Sequence, residues 1–184
     1  LLFGGAWWWS QRKNPAPPPI AAVPPLQRVL VLPMAHDTDM PDARALAYDA
    51  HVLDALAATP GLAVVDGERT DQALRQADAV RAGRYDIPTV HRIAAANRVL
   101  QPTLLHTAEG WRVQAILHTI DASDTSIDGP VARSALEAIR DWLVAPAFRD
   151  TLHATASPVL AMPDKDAALD AYGSAKLGVQ PVPL

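Results

Sequence analysis

Two short apolar runs constrain the fold of this chain more than any other feature of its sequence. Residues 28–32 (Arg-Val-Leu-Val-Leu) end before Pro33, and residues 62–65 (Leu-Ala-Val-Val) end before Asp66. Continuous apolar runs of this length are typical of buried strands. The residues between the runs have helical spacing, so strand, helix and strand form a parallel unit with a right-handed crossover. We therefore predict that residues 28–32 are a central strand beside residues 62–65.

The helix between the two runs is predicted from apolar residues that recur on one side. Leu46, Ala50, Leu53 and Ala57 have that spacing, and Asp49 is predicted to lie off the apolar stripe. Two further helices are predicted over residues 69–82 and from residue 86 onward, where an aspartate provides the cap.

After residue 97 the period of the hydrophobic pattern changes to two. In residues 99–107 and 111–120 apolar and polar residues alternate, which predicts the two strands of a hairpin with Gly110 in the turn. Residue 106 is expected to lie opposite residue 112. The order of elements predicts an α/β fold, with a mixed sheet of the order β-α-β-α-α-β-β and helices packed on it.

The last third of the chain is predicted to be largely helical. Residues 121–130 are polar and are interpreted as a loop. Helical stretches follow at residues 131–144, 147–154 and 163–177. We interpret residues 123–184 as a C-terminal helical extension and tail, placed after the predicted α/β domain of residues 28–122.

The amino-terminal residues have the composition of a membrane boundary followed by a spacer. Trp7, Trp8 and Trp9 end an apolar stretch, and indole rings favour the membrane–water interface. Residues 1–9 are shorter than the stretch of about 20 apolar residues that a spanning helix needs. We interpret residues 1–13 as the end of a transmembrane helix with its interfacial flank, and the proline-rich residues 14–27 as a stiff linker.

This amino-terminal segment has alternative interpretations. Residues 1–9 also fit an apolar arm of a soluble protein, and the prolines also fit a ligand for the aromatic groove of a partner. Arg12 and Lys13 favour a cytoplasmic position for the residues that follow them, by the positive-inside rule.

Charge and composition argue against several classes of function. The formal net charge is -4 and no block of Lys or Arg follows residue 13, which argues against nucleic-acid binding. The absence of Cys excludes disulfides, thiolate zinc sites and cysteine nucleophiles. The sequence contains no glycine-rich phosphate loop and no nucleophile elbow, so we expect neither a cofactor nor catalysis.

One group of polar residues is a candidate binding site. His36, Asp37 and Asp39 follow the first predicted strand, and Asp66 follows the second. The carboxyl ends of parallel strands meet at one edge of a sheet, which is where open α/β sheets bind ligands. Imidazole with carboxylates can hold a divalent metal or a cationic ligand, or can respond to pH. The alternative is a solvated loop whose Asp and Thr side chains cap the next helix.

The remaining histidines and acidic residues have ordinary interpretations. His51 and His91 are expected as surface or hydrogen-bonded histidines on helices. His106 and His118 lie on the two hairpin strands but are not expected to form a pair. Three aspartates at positions 121, 124 and 128 lack the spacing of a calcium loop, so they are interpreted as turn residues.

The order and spacing of several short motifs resemble the TolB amino-terminal-like domain. The resemblance covers residues 28–121, and its motifs are residues 28–33, 60–65, 93–100, 110–115 and 120–121. In addition, residues 167–175 are similar to the opening helix of a tetratricopeptide-like array. Related domains follow the membrane helix of CadC-like transcriptional regulators and of some bacterial receptor Ser/Thr kinases, and they bring no catalytic motif.

The resemblance implies a non-enzymatic, extracytoplasmic sensory or interaction domain of a membrane-anchored bacterial signalling protein. Its effector would be a DNA-binding domain or a Ser/Thr kinase. Residues 1–9 would lie in the inner membrane and the residues after 28 in the periplasm. The expected partner is a protein or a small periplasmic signal. The signal could be transmitted through formation of a homodimer. The alternative is a structural periplasmic scaffold of envelope assembly.

Overall fold

The computed structural model describes residues 27–36, 40–76, 85–154 and 166–176. The expected membrane segment with Trp7, Trp8 and Trp9, and all but the last residue of the linker 14–27, lie outside the described residues. No helix in the described ranges is both long and apolar enough to cross a bilayer. The elements are β1 (Gln27–Val31), β2 (Ala35–His36), α1 (Asp42–Ala57), β3 (Leu62–Val64), α2 (Gly67–Gln76), α3 (Ile87–Ala94), β4 (Arg98–Thr107), β5 (Gly110–Thr119), β6 (Thr125–Asp128), α4 (Ala135–Val144), α5 (Pro146–Leu152) and α6 (Asp166–Lys176).

Strand β1 lies inside one mixed sheet, whose order is β3-β1-β4-β5-β6. It runs parallel to β3 on one side and to β4 on the other, where Leu30 lies beside Val99. Strands β4 and β5 form the antiparallel hairpin, and the short β2 pairs with β4 beyond the end of β1. The predicted α/β fold with residues 28–32 as a central strand is therefore confirmed.

The register of the hairpin differs by one residue from the prediction. Thr107 pairs with Gly110 across a two-residue turn, so His106 lies opposite Trp111 rather than opposite residue 112. Gly110 has a φ of 135°, and a side chain at this position would overlap the carbonyl group of Ala132. Both the positive φ and the close approach of Ala132 therefore require glycine here.

The predicted polar loop at residues 121–130 contains a strand, so that prediction is wrong. Strand β6 pairs antiparallel with β5 at the end of the sheet. Ile127 is its only buried side chain, and the Ile127 carbonyl accepts a hydrogen bond from Trp142 Nε1 at 3.3 Å. One buried residue in four is too short an alternation to predict a strand from the sequence.

Several helix ends differ from the prediction because caps and prolines define them. Helix α4 begins at Ala135 rather than at residue 131, since the Ser134 hydroxyl accepts a hydrogen bond from the Glu137 N–H at 3.2 Å. Helix α5 begins at Pro146, a favoured residue for the first turn. As predicted, Asp86 is the N-cap of α3.

The two faces of the sheet carry two separate cores. On the first face, α1, α4, α5 and α6 contribute to the larger core, in which Trp142 packs edge-on against Phe148 with ring centroids 4.6 Å apart. On the second face, α2 and α3 pack over β1, the end of β3 and the start of β4. The second core consists of Leu30, Leu32, Val65, Ala73, Val90, Ala94, Ala96 and Val99. Among the described residues, the helices on the second face therefore cover only part of the sheet.

Helix α6 packs against α1, far away in the sequence. Leu169 of α6 is fully buried, and Arg44 of α1 holds Asp170 through two hydrogen bonds of 2.8 and 2.6 Å. A side chain at Gly173 would overlap the carbonyl group of Ala43. The last described helix therefore docks on the same core as the sheet.

Candidate functional site

The structure describes two of the four predicted ligand-binding residues. His36 ends β2 and is exposed, beside Leu104 of β4. Asp66 follows β3, and its Oδ1 accepts a hydrogen bond from the Arg69 N–H at 2.8 Å, which caps α2. Asp37 and Asp39 lie outside the described residues. The binding of a metal or a cationic ligand by these four residues therefore stays a prediction.

Asp49 of α1 lies at this same edge and was not predicted from the sequence. Its Oδ1 accepts a hydrogen bond from the Met34 N–H at 2.7 Å, between β1 and β2. Burial raises the pKa of Asp49 to about 6, while the Met34 hydrogen bond and the charge of His36 lower it. Asp49 lies on the same side of α1 as Leu46 and Leu53, so the prediction that it lies off the apolar stripe is wrong. The spacing of Asp49, three residues after Leu46 and four before Leu53, was the signal. The predicted stripe is also not the buried side of the helix, whose buried residues are Ala47, Tyr48, Val52, Ala55 and Leu56.

Asp49 lines a cavity of about 210 Å³ at the carboxyl end of β1. Apolar walls come from residues such as Leu46 and Leu53, and Asp71 of α2 adds a second carboxyl group. Burial raises the pKa of Tyr85, and the charge of Asp49 raises it further. Within the residues that the structure describes, no three His, Cys, Asp or Glu side chains are grouped to hold a metal ion.

A second candidate surface lies on the second face of the sheet, beyond the strands that α2 and α3 cover. Register and strand alternation place Thr103 and Leu105 of β4, Gln114 and Ile116 of β5 and Ser126 of β6 on this face. We call these five residues the open face. Ile116 is 41% exposed, and the other four side chains are half-buried or exposed. The open face therefore combines aliphatic, amide and hydroxyl groups, and the charged residues Arg112 and Asp128 lie on the same face of the sheet, opposite Leu105 and Gln114.

A groove of about 770 Å³ continues the open face toward α3. Ile87 and Pro88 of α3 form one wall, and Ile120, directly after β5, contributes to the other. Arg92 lies on the helix side and Asp121 on the loop side. The groove is thus mainly apolar, with charges of opposite sign on its two rims.

His118 joins the groove to the loop before β6. Its Nδ1 lies 2.9 Å from Asp124 Oδ1, and its Nε2 lies 3.2 Å from Gln101 Oε1. Both ring nitrogens of His118 therefore have an oxygen neighbour within hydrogen-bond distance. Val99 lies opposite His118 in the hairpin, so the prediction that His106 and His118 do not form a pair is confirmed.

The other histidines have structural contacts. His91 is buried with its Nδ1 3.2 Å from the Ala96 carbonyl, as expected of a hydrogen-bonded histidine. His106 stacks on Trp111 with ring centroids 4.4 Å apart. His51 stacks on Tyr172 at 5.2 Å, and its buried Nε2 has no hydrogen-bond partner among the described residues. The ring of His51 is therefore covered by α6 instead of lying at the surface.

Comparisons with known proteins found a likeness of fold at low similarity. No protein-family model and no curated protein matched the chain. The LpoB C-terminal domain from Salmonella enterica is 13% identical over 62% of this chain and 87% of that chain, with a TM-score of 0.42. The NMR structure of E. coli LpoB is 15% identical over 53% of each chain, with a TM-score of 0.40. At TM-scores this low, we base no conclusion about function on the likeness.

Proposed function

We propose that this chain is a protein-interaction domain of the bacterial cell envelope, without catalytic activity of its own. The proposal rests on the composition of the open face. Half-buried Leu105 and exposed Ile116 lie there among amide and hydroxyl side chains, and an apolar groove continues the surface. Such a mixture of apolar and neutral polar groups, with charges at the rim, is the composition of non-obligate protein interfaces.

The proposed position outside the cytoplasm has separate support from the sequence. Trp7, Trp8 and Trp9 are suited to a membrane interface, and residues 14–27 to a stiff linker. The resemblance to TolB amino-terminal-like domains favours the periplasm. We infer that partner binding changes domain packing or dimerisation, and that the membrane helix transmits this change.

Two finer functions fit this proposal. In the first, the domain is the sensory part of a membrane-anchored transcriptional regulator or Ser/Thr kinase. In the second, it is a structural scaffold of envelope assembly. In the full-length protein, a cytoplasmic effector domain ahead of Leu1 supports the first function, whereas an anchor alone supports the second.

Site-specific crosslinking in cells tests the interaction function. A photoreactive amino acid is placed in the full-length protein at Leu105 or Ile116, and at Glu68 as an exposed control on α2. We expect a discrete adduct with an envelope protein from the two open-face positions and not from Glu68. A second variant, Ile116→Asp, should abolish the adduct formed from Leu105. Equal labelling at all three positions, or no adduct at the open face, contradicts the proposal.

A further inference from the structure

Three of the four exposed large aliphatic side chains in the described part of the chain lie on β5, directly after it, or three residues after β6. Ile116 (41% exposed) lies on β5, which pairs with β6, and Ile120 (47%) follows β5. Val131 (43%) follows β6, and Val144 (43%) ends α4, just before α5, which packs on β6. Most of this exposed apolar surface therefore lies near the β5 and β6 end of the sheet.

The backbone of β6 has one paired side and one outer side. The Gly129 N–H donates to the Val113 carbonyl at 2.8 Å, and Ile127 pairs with Ala115 two residues further along. In an antiparallel ladder the hydrogen-bonding groups of alternate residues point the same way, so those of Ile127 point toward β5. The N–H and C=O groups of Ser126 and Asp128 consequently point away from the sheet. No strand within the described residues pairs with this outer side.

The surroundings of this edge are acidic. Asp121, Asp124 and Asp128 are exposed, and no Lys or Arg occurs between Arg112 and Arg133. The Asp128 carboxylate accepts a hydrogen bond from the Ser126 hydroxyl at 3.1 Å and faces solvent. A short strand with an aspartate is an ordinary way to protect a sheet edge from pairing. Protection alone does not account for the exposed aliphatic side chains around it.

We propose that the outer edge of β6 binds an extended segment of a partner protein, in which aliphatic residues alternate with Lys or Arg. The inference deepens the proposed function and rests on it. The segment adds a strand to the sheet through the outward N–H and C=O groups of Ser126 and Asp128. Asp128 lies on the same face of the sheet as Ile116, so the basic side chains of the segment lie on the open face, where they pair with Asp128 and the neighbouring aspartates. Its aliphatic side chains alternate to the opposite face, on which α5 packs against β6.

Two short peptides of opposite charge test the proposal on the full 184-residue chain. One alternates valine with lysine and the other alternates valine with glutamate, and binding is followed by fluorescence anisotropy of the labelled peptide. We expect the lysine peptide to bind at least about tenfold more tightly, with an affinity that falls as salt rises. Hydrogen exchange should slow at the amides of Ser126 and Asp128. Equal binding of the two peptides, or protection elsewhere only, overturns the proposal.

Edge variants of the chain complete the test. Ser126→Pro removes an outward N–H without removing a bond to β5, so it should abolish peptide binding. Asp128→Lys should bind the glutamate peptide more tightly than the lysine peptide. This variant provides the test if Ser126→Pro does not fold. Glu68→Lys is the matched charge control and should bind like the parent. Unchanged binding by Asp128→Lys overturns the proposal.

The same variant separates this inference from the proposed function. If Asp128→Lys leaves the adducts at Leu105 and Ile116 intact in cells, the interaction function stands and the β6 site is wrong. If the parent forms no adduct at the open face, the interaction function itself fails.

Discussion

Two titratable side chains of α1, Asp49 and His51, lie in environments that oppose their charged forms. Burial raises the pKa of Asp49 to about 6 and lowers the pKa of His51. The Met34 N–H bonds to Asp49, and the Tyr172 ring stacks on His51. Both of these partners come from other segments of the chain, so the local sequence of α1 does not reveal either environment.

The charge of Asp49 makes the stability of the domain depend on pH. A carboxyl group with a raised pKa destabilises the folded state when it ionises, so stability falls as pH rises from 3.8 to about 6. We expect Asp49→Asn to be more stable than the parent by about 1–2 kcal/mol at neutral pH, because the amide can still accept the Met34 hydrogen bond. This difference in the free energy of unfolding between variant and parent should disappear in acid. Urea unfolding at both pH values measures it, with Asp54→Asn, at an exposed position of the same helix, as the control.

His51 should have the opposite pH dependence. Burial lowers its pKa below 6.5, so the folded state prefers the neutral ring and loses stability as pH falls through this range. His51→Phe keeps a ring on Tyr172 and removes the proton, so its melting temperature should exceed that of the parent in mild acid and match it above neutral pH. The same melting-temperature difference at every pH would contradict this account.

At the scale of elements, the sequence predicted the strands with buried apolar runs and missed two short strands, β2 and the edge strand β6. The apolar run of β1 reports its burial directly, whereas β6 has one buried residue and depends on β5 and Trp142. Buried and exposed positions of the sheet should therefore differ in how much a charge disturbs the fold.

Charge substitutions on β1 and β5 test this difference. Leu30 is fully buried, so Leu30→Asp places an unpaired charge in the second core and should destabilise the domain by several kcal/mol. Ile116→Asp changes an exposed side chain and should cost less than about 1 kcal/mol. Circular dichroism melting compares the two variants. A Leu30→Asp variant that melts like the parent would refute the central position of β1.

The contact between α1 and α6 depends on one small residue. A side chain at Gly173 would overlap the Ala43 carbonyl, so Gly173→Val should release α6 and separate Tyr172 from His51. Hydrogen exchange of the α6 amides should then become fast. Ala171→Val adds a larger side chain at an exposed position of the same helix and should leave exchange slow. Equally slow exchange in both variants would show that the close approach is not required.

At the scale of the whole molecule, the proposed function requires the domain to lie outside the cytoplasm. A reporter enzyme fused after Pro33 in the full-length protein measures this directly. We expect activity from a periplasmic reporter and none from a cytoplasmic one, because Trp7, Trp8 and Trp9 would lie at the membrane interface. Cytoplasmic reporter activity would instead support the position that Arg12 and Lys13 favour.

The sequence by itself determined the α/β class, the central strand and the hairpin, because each has a period or an apolar run that indicates its own burial. It also determined where the first helix lies, but not which side of that helix is buried. Only the tertiary structure decided the position of β6, the burial of Asp49 and the docking of α6. Each of these depends on a partner from another segment of the chain: Trp142 at the Ile127 carbonyl, the Met34 N–H at Asp49, and Ala43 against Gly173. Local periodicity carries no information about such contacts, since they form only when the sheet and its helices assemble.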